Sequence, residues 1–502
     1  MKTVNLDRAI QILIETDQVL LIYRHALSIL NFDGATVAPK RSAERRSKTM
    51  GYFGGNIHEL MTGDEVREAF GTILDAGDAA EAHIRRRAEL LKEESDDLLL
   101  VPTDEYAAYQ ALLAEADAVW HEAKLKSDWP SFARYLEKIV DYCRRYAARK
   151  NPNAPAYDVL VDRYEKGATT AMLDPFFAAL RKDLTPVILA VAEKPEPDTA
   201  FLHRHYPKHL QQVFSDRLMA MMGINRENCA IAETEHPFTS FIGKHDVRIT
   251  THYHEDDVSL SMYSVIHESG HALYELNTGD ELQDTCLAAG VTMGIHESQS
   301  RFYENLIGRS RPFCEALFPV LRGIFPEQTA DADAEKLYRA VCRAKPSLIR
   351  TEADELTYPM HVMIRYELEK ALVDGRLTVR DIPGEWNRMY QRYLGVTVPD
   401  DRRGCLQDSH WSFGGIGYFP SYALGSAYGV QMLDRMQREI DVWGPVAKGD
   451  LSHVTAWLRE KIHRHGSFLR PAQVLENALG GPFDPSFYTR YLTEKYTALY
   501  GL

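Results

Sequence analysis

His267-Glu268-Ser269-Gly270-His271 places two imidazoles four residues apart with a carboxylate between them. On a helix, positions four apart share a face, so both imidazoles can reach one ion while Glu268 sits beside it. The flanking sequence supports a helix. Asp256 and Asp257 are available as N-caps, Leu260, Tyr263, Ile266 and Leu273 supply an apolar stripe, and Gly279 is placed to stop it. Gly270 costs about 1 kcal/mol of helix propensity relative to Ala, and a small residue there permits close packing around a metal. The alternative reading is two surface histidines beside an exposed glutamate.

A catalytic zinc site commonly uses three protein ligands plus water. Glu297 lies 26 residues beyond His271, in His296-Glu297-Ser298-Gln299-Ser300-Arg301. It opens a second helical stretch in which Phe302, Leu306 and Ile307 are apolar and Gly308 comes near the end. Two such helices can face each other and set Glu297 against the His pair. His252, His254, Glu255 and His296 compete for the third position. The first three precede the helix, and His296 would point about 100° away from Glu297. Glu297 is therefore the expected third ligand and zinc the expected ion, one per subunit, with cobalt a chemically acceptable substitute. A water on such an ion has its pKa lowered toward about 7. Glu268 can accept that proton and pass it to a leaving amine.

Further out, Asp246-Val247-Arg248-Ile249-Thr250-Thr251-His252-Tyr253 is rich in β-branched and aromatic residues and reads as a strand. Segments 79–100, 105–126 and 129–150 space apolar residues three and four apart and read as helices. The Pro-containing stretches 151–155 and 194–197 are loops between helices. In residues 1–30, Asp7, Glu15, Asp17 and Arg24 recur on a helical period, so the segment reads as an amphipathic helix and not a signal peptide. A mainly α protein with a small β-sheet beside its active site is expected.

Composition sets limits. The 502 residues carry 58 basic and 72 acidic side chains, a net charge of −14, which argues against a nucleic-acid partner. The six cysteines include no CxxC pair, as expected of reduced thiols. No apolar run approaches the ~20 residues of a membrane span. A cytoplasmic protein with no membrane partner is the default.

Six blocks along the chain then resemble the carboxypeptidase Taq family. They are His236-Pro237-Phe238; Asp246 to Thr250; the HExxH motif; His296-Glu297-Ser298-Gln299; Ile349-Arg350-Thr351-Glu352-Ala353-Asp354; and Gly404-Cys405-Leu406-Gln407-Asp408-Ser409-His410-Trp411. An N-terminal stretch around Phe32-Asp33, Thr36, Pro39, Arg45 and His58 is similar too. It departs from the family's usual Trp-Asp, Glu-Thr and Met-Pro in a lid region, which touches substrate fit more than chemistry. The resemblance implies a zincin-type helical peptidase with a deep cleft, a homodimer, and removal of C-terminal residues from peptides with a free C-terminus. It also implies one catalytic domain over 1–502, with 1–100 as a helical lid region and 101–502 as the catalytic body.

A free carboxylate is best recognised by the planar fork of arginine. Arg350 matches the family's motif arginine and is the first choice; Arg248, on the strand, is second. The alternative for either is an ordinary salt bridge, with Asp354 or Glu352 available. Asp354 reads equally as an acceptor behind a zinc-bound imidazole or as a cap for the helix running toward Asp374. His410 and Tyr418, in a Gly- and aromatic-rich loop, are candidates to donate to the oxyanion, with Tyr422 as a substitute for Tyr418. His236 either contacts substrate or packs beside Phe238. Two rival readings remain: an oligopeptidase or dipeptidyl carboxypeptidase of the same HExxH type, and a non-catalytic helical metal-binding protein.

Overall fold

The computed structural model describes residues 5–502, and helices dominate it. Apolar residues three and four apart give each helix a face to bury, and these faces meet in two hydrophobic clusters. The smaller cluster belongs mostly to the first four helices: α1 (Leu6–Thr36), α2 (Ala43–Thr62), α3 (Asp64–Asp75) and α4 (Ala82–Leu99). Leu13, Leu20, Met61, Phe70, Ile73 and Leu91 are its centre. The helix expected over residues 1–30 starts at an N-cap on Asn5 and runs on to Thr36; residues 1–4 lie outside the described range. Arg87 of α4 pairs with buried Asp17 of α1, and Asp17 also accepts from the Cys286 backbone N–H, tying this layer to the body.

The other elements share the large core. Among the described residues there is one three-stranded sheet, ordered β1 (Cys229–Glu233), β3 (Asp246–Thr251), β2 (Thr239–Gly243). The strand expected from Asp246 is thus the central one, parallel to β1 and antiparallel to β2. Val247 and Ile249 are fully buried beneath the HExxH helix, Val258–Leu276. Asp257 caps that helix through the Ser259 N–H at 2.9 Å. Two details differ from expectation. Leu260 is 49% exposed and lies off the buried stripe. Gly279 does not end the helix, which stops at Leu276; a Cβ on Gly279 would stand 2.7 Å from the Arg464 carbonyl oxygen, so it serves a close backbone approach.

All six cysteines are free. No helix among the described residues is long and apolar enough to cross a membrane.

Candidate metal centre

The HExxH helix lies against the short helix Met293–Arg301, which carries Glu297. Gly270 allows it. A Cβ at Gly270 would stand 2.7 Å from Gln299 O and Ser300 Cα, so any larger residue would push the helices apart. On the opposite side, a Cβ at Gly425 of the helix Pro420–Glu439 would stand 2.8 Å from Glu297 Cβ. The Glu297 helix is thus gripped between two glycines.

This packing brings His267, His271 and Glu297 together, with ligand atoms all within 4.8 Å of one another. Glu297 Oε2 is 3.5 Å from His271 Nε2 and 3.8 Å from His267 Nε2. Ligands of a tetrahedral zinc at ~2.1 Å stand roughly 3.4 Å apart, so the donor set fits such an ion. Glu297 Oε1 is held by Arg301 Nε at 2.8 Å, and Oε2, which accepts from the Ser300 hydroxyl at 3.2 Å, is the oxygen nearer the two Nε2 atoms. Burial opposes ionisation of Glu297, but Arg301 and His267 outweigh it and hold its carboxyl well below the usual range.

The outer nitrogens are also engaged. His267 Nδ1 meets Glu304 Oε2 at 2.8 Å. His271 Nδ1 meets His296 Nδ1 at 2.6 Å, and His296 Nε2 meets Glu275 Oε1 at 2.7 Å. Such partners fix which ring nitrogen is free for the metal. Burial would raise the Glu304 carboxyl; Arg301, the His267 bond and Arg309 overcome it and hold its pKa at about 2. Asp354 has no part in this layer. Its oxygens accept from the N–H groups of Lys345, Leu356 and Thr357 and from the Thr357 hydroxyl, so it organises the turn before the helix Tyr358–Val373. It stands three residues before that helix's N-cap, Thr357.

Glu268 is 5% exposed, and Thr239, at the start of β2, donates to its Oε2 at 2.6 Å. Burial raises the Glu268 carboxyl against the pull of His267 and Thr239.

The Gly-rich loop forms a neighbouring wall. His410 Nε2 lies 3.2 Å from the Tyr422 hydroxyl, while its buried Nδ1 has no hydrogen-bond partner. Burial lowers the His410 pKa to about 3 and raises that of Tyr418 to about 12, with the Glu297 charge adding to the latter. Tyr418 packs edge-on against Tyr164, ring centroids 5.0 Å apart, and against His410 at 5.3 Å. Buried Glu369 fastens the loop, accepting from Trp411 Nε1 (2.8 Å), the Gly417 N–H (2.9 Å) and the Tyr157 hydroxyl (2.9 Å).

Arg350 is buried and pairs with Asp408 at 2.9 Å, not with Asp354 or Glu352. It also donates to the Tyr358 hydroxyl, and its guanidinium lies 5.0 Å from the Tyr422 ring. Fully buried Arg365 shares the same Asp408 at 2.7 Å, so two cations meet one anion. Arg248 spends its fork on Asp246, with contacts of 2.6 and 2.7 Å, and rests over the Phe32 ring. His236 is exposed, and Phe238 packs instead on Phe32.

Glu304, Glu275, Thr239 and Arg365 are not among the residues that the sequence motifs mark, and His296 stands there only as a rival ligand. Glu304 carried a signal, since it stands seven residues after Glu297 and so on nearly the same helix face. A cavity of about 1210 Å³ opens beside this wall, between α4 and the body, and includes Tyr164, Thr292, Phe413 and Gly414 in its lining. Tyr164 connects it to Tyr418; the three candidate ligands are not in its lining.

A family model described as carboxypeptidase Taq (M32) metallopeptidase matches residues 13–496. The chain is 37% identical over 480 residues to Carboxypeptidase 1 of Bacillus subtilis (strain 168), spanning 95% of this chain and 96% of that one. It is 35% identical over 485 residues to Thermostable carboxypeptidase 1 of Thermus thermophilus, spanning 94% of each. The crystal structure of the M32 carboxypeptidase from Deinococcus radiodurans R1 matches with a TM-score of 0.95 at 34% identity, over 98% of this chain and 99% of that one.

Proposed function

This chain belongs to the carboxypeptidase Taq (M32) metallopeptidases, and from that membership we propose that zinc held by His267, His271 and Glu297 works with Glu268 as general base to release C-terminal residues from peptides. As a class, the molecule is a metallocarboxypeptidase, a peptide hydrolase. The observation that carries the detailed reading is the convergence of two Nε2 atoms and Glu297 Oε2, each imidazole braced from behind.

When bound, the ion supplies a Lewis acid that polarises the scissile carbonyl and acidifies a water. Glu268 has one oxygen held by Thr239, so Oε1 is the atom available to take the water's proton and deliver it to the leaving amine. His410, whose Nε2 shares a hydrogen bond with the Tyr422 hydroxyl, is the donor to the developing oxyanion, joined by Tyr418. Tyr422 is the alternative donor in place of Tyr418. Arg350 is the clamp for the substrate's terminal carboxylate, supported by the excess of positive charge around Asp408. Arg248 is the weaker candidate, because Asp246 occupies its fork alone, whereas the carboxylate on Arg350 is shared with Arg365, and exposed His236 is a substrate contact at the rim.

The same reading takes residues 1–502 as one catalytic domain with 1–100 as its lid, supported by the separate cluster in α1–α4. It also takes the enzyme as a cytoplasmic homodimer with one ion per subunit, cobalt being able to substitute. Light scattering tests the dimer, and elemental analysis tests the ion and its stoichiometry.

Mass spectrometry of one unblocked peptide incubated with metal-loaded protein should show stepwise loss from the C-terminus. Undiminished cleavage of the C-terminally amidated peptide would contradict the carboxylate clamp. Glu268→Gln should keep its metal and lose about 10²–10⁴-fold in kcat; unchanged activity would remove the general-base role.

A further inference from the structure

Five carboxylates border the cavity between α4 and the body: Glu89, Glu93, Glu94, Asp97 and Asp162. Each has a basic partner within ion-pair distance. The lysines and arginines on the same lining are likewise paired, with one exception. Among the described residues, Arg163 has neither an ion pair nor a hydrogen bond. Its guanidinium lies over tyrosine rings instead, 5.0 Å from the centroid of Tyr146 and 5.7 Å from that of Tyr164. Aromatic faces attract a cation without neutralising it and leave all its N–H donors free. Arg163 is exposed and borders the cavity, so its charge is reachable from within it.

The two residues after Arg163 are joined to the start of the Glu297 helix. The Tyr164 carbonyl accepts from the Met293 N–H at 3.1 Å, and buried Glu165 accepts from the Gly294 N–H at 2.7 Å and from the Thr292 hydroxyl at 3.1 Å. These contacts attach residues 164 and 165 to the start of the Glu297 helix. The Tyr164 ring then packs on Tyr418. The backbone that carries Arg163 is thus anchored beside the candidate ligands.

We infer that this cavity is a substrate subsite in which Arg163 receives an acidic side chain of the peptide, on the N-terminal side of the scissile bond. The fork of arginine suits a carboxylate, and the paired lining offers no competing acid. The side follows from Arg350, which takes the C-terminal end. An extended chain advances about 3.3–3.6 Å per residue, so the ring-to-ring path from Arg163 through Tyr164 to Tyr418 corresponds to roughly three or four residues before the bond. The inference rests on the metal centre as the place of cleavage.

Peptide pairs that differ only by Glu or Gln, at one position from two to five residues before the C-terminus, test it. The wild-type enzyme should favour Glu at one of those positions by about tenfold in kcat/KM, the size of one charge-assisted contact. Arg163→Gln should bring that ratio to about one, and Arg163→Lys should keep part of it, because charge survives without the fork. Equal use of both peptides by the wild type at every position, or a preference that survives in Arg163→Gln, overturns the assignment. Fluorescence anisotropy of the same peptides, labelled at the N-terminus and bound to the Glu268→Gln variant, reads the Glu-over-Gln preference without turnover. Failure of hydrolysis alone would therefore count against the proposed catalytic centre, and loss of the binding preference against the subsite.

Discussion

Behind the two imidazoles stand partners of different kinds. His267 meets a carboxylate that Arg301 and Arg309 keep ionised, so its Nδ1 carries the proton and Nε2 is free for the ion. His271 meets a second imidazole, whose far nitrogen reaches Glu275. That carboxylate orients the whole relay. Replacing Glu304 by Gln leaves an amide able to turn its NH₂ toward His267 and also leaves Arg301 and Arg309 short of an anion. Metal affinity should fall by about 10–100-fold, measured by competition with a chelator, while Thr239→Val should leave affinity near wild type and lower kcat. An unchanged dissociation constant in Glu304→Gln would mean the contact does not tune the ligand.

At the scale of elements, the site depends on three helices brought closer than ordinary side chains allow. Gly270 and Gly425 face the Glu297 helix from either side, and a methyl group at either would meet atoms at 2.7–2.8 Å. Ala would gain about 1 kcal/mol of intrinsic helix propensity, against an overpacking cost of about 1–3 kcal/mol. Gly270→Ala meets backbone atoms, which cannot yield locally, so its net effect should be destabilising. A lowered thermal midpoint together with weakened metal binding would establish this. A midpoint equal to or above wild type would show that the helices can separate freely. The Gly-rich wall depends similarly on one group: Glu369 joins Trp411, Gly417 and Tyr157 through its two oxygens.

For the whole molecule, Glu165 and Glu369 make stability depend on pH. Burial raises each carboxyl from 4.5 to about 7, against the hydrogen bonds each accepts. Between those values the unfolded chain has released protons that the folded chain still holds. Their contribution is therefore complete below pH 4.5 and declines as pH rises toward 7, on the order of 1.4 kcal/mol per pH unit for each carboxyl. Denaturant unfolding across this range should show the decline, and the double variant Glu165→Gln, Glu369→Gln should flatten it. Asp408 acts in the opposite sense. Burial opposes its ionisation, but Arg350 and Arg365 hold its carboxyl far below the usual range, so its contribution is lost only in strong acid.

Local residue order is enough for whatever depends on neighbours along the chain. Helical periodicity identified the class of fold, and the four-residue spacing of His267 and His271 put both rings on one face, because a helix repeats every 3.6 residues. The β-branched run from Asp246 marked the central strand. What depends on which elements abut came only with the tertiary structure. Arg350 and Asp408 are 58 residues apart, Thr239 and Glu268 29, and His267 and Glu304 37. Asp354 was ambiguous for the same reason, since a carboxylate near a helix start suits a cap or a histidine until its neighbours are known. Arg163 likewise stands out only because, among the described residues, packing leaves it without an ionic partner, and periodicity does not register which charges packing leaves unpaired.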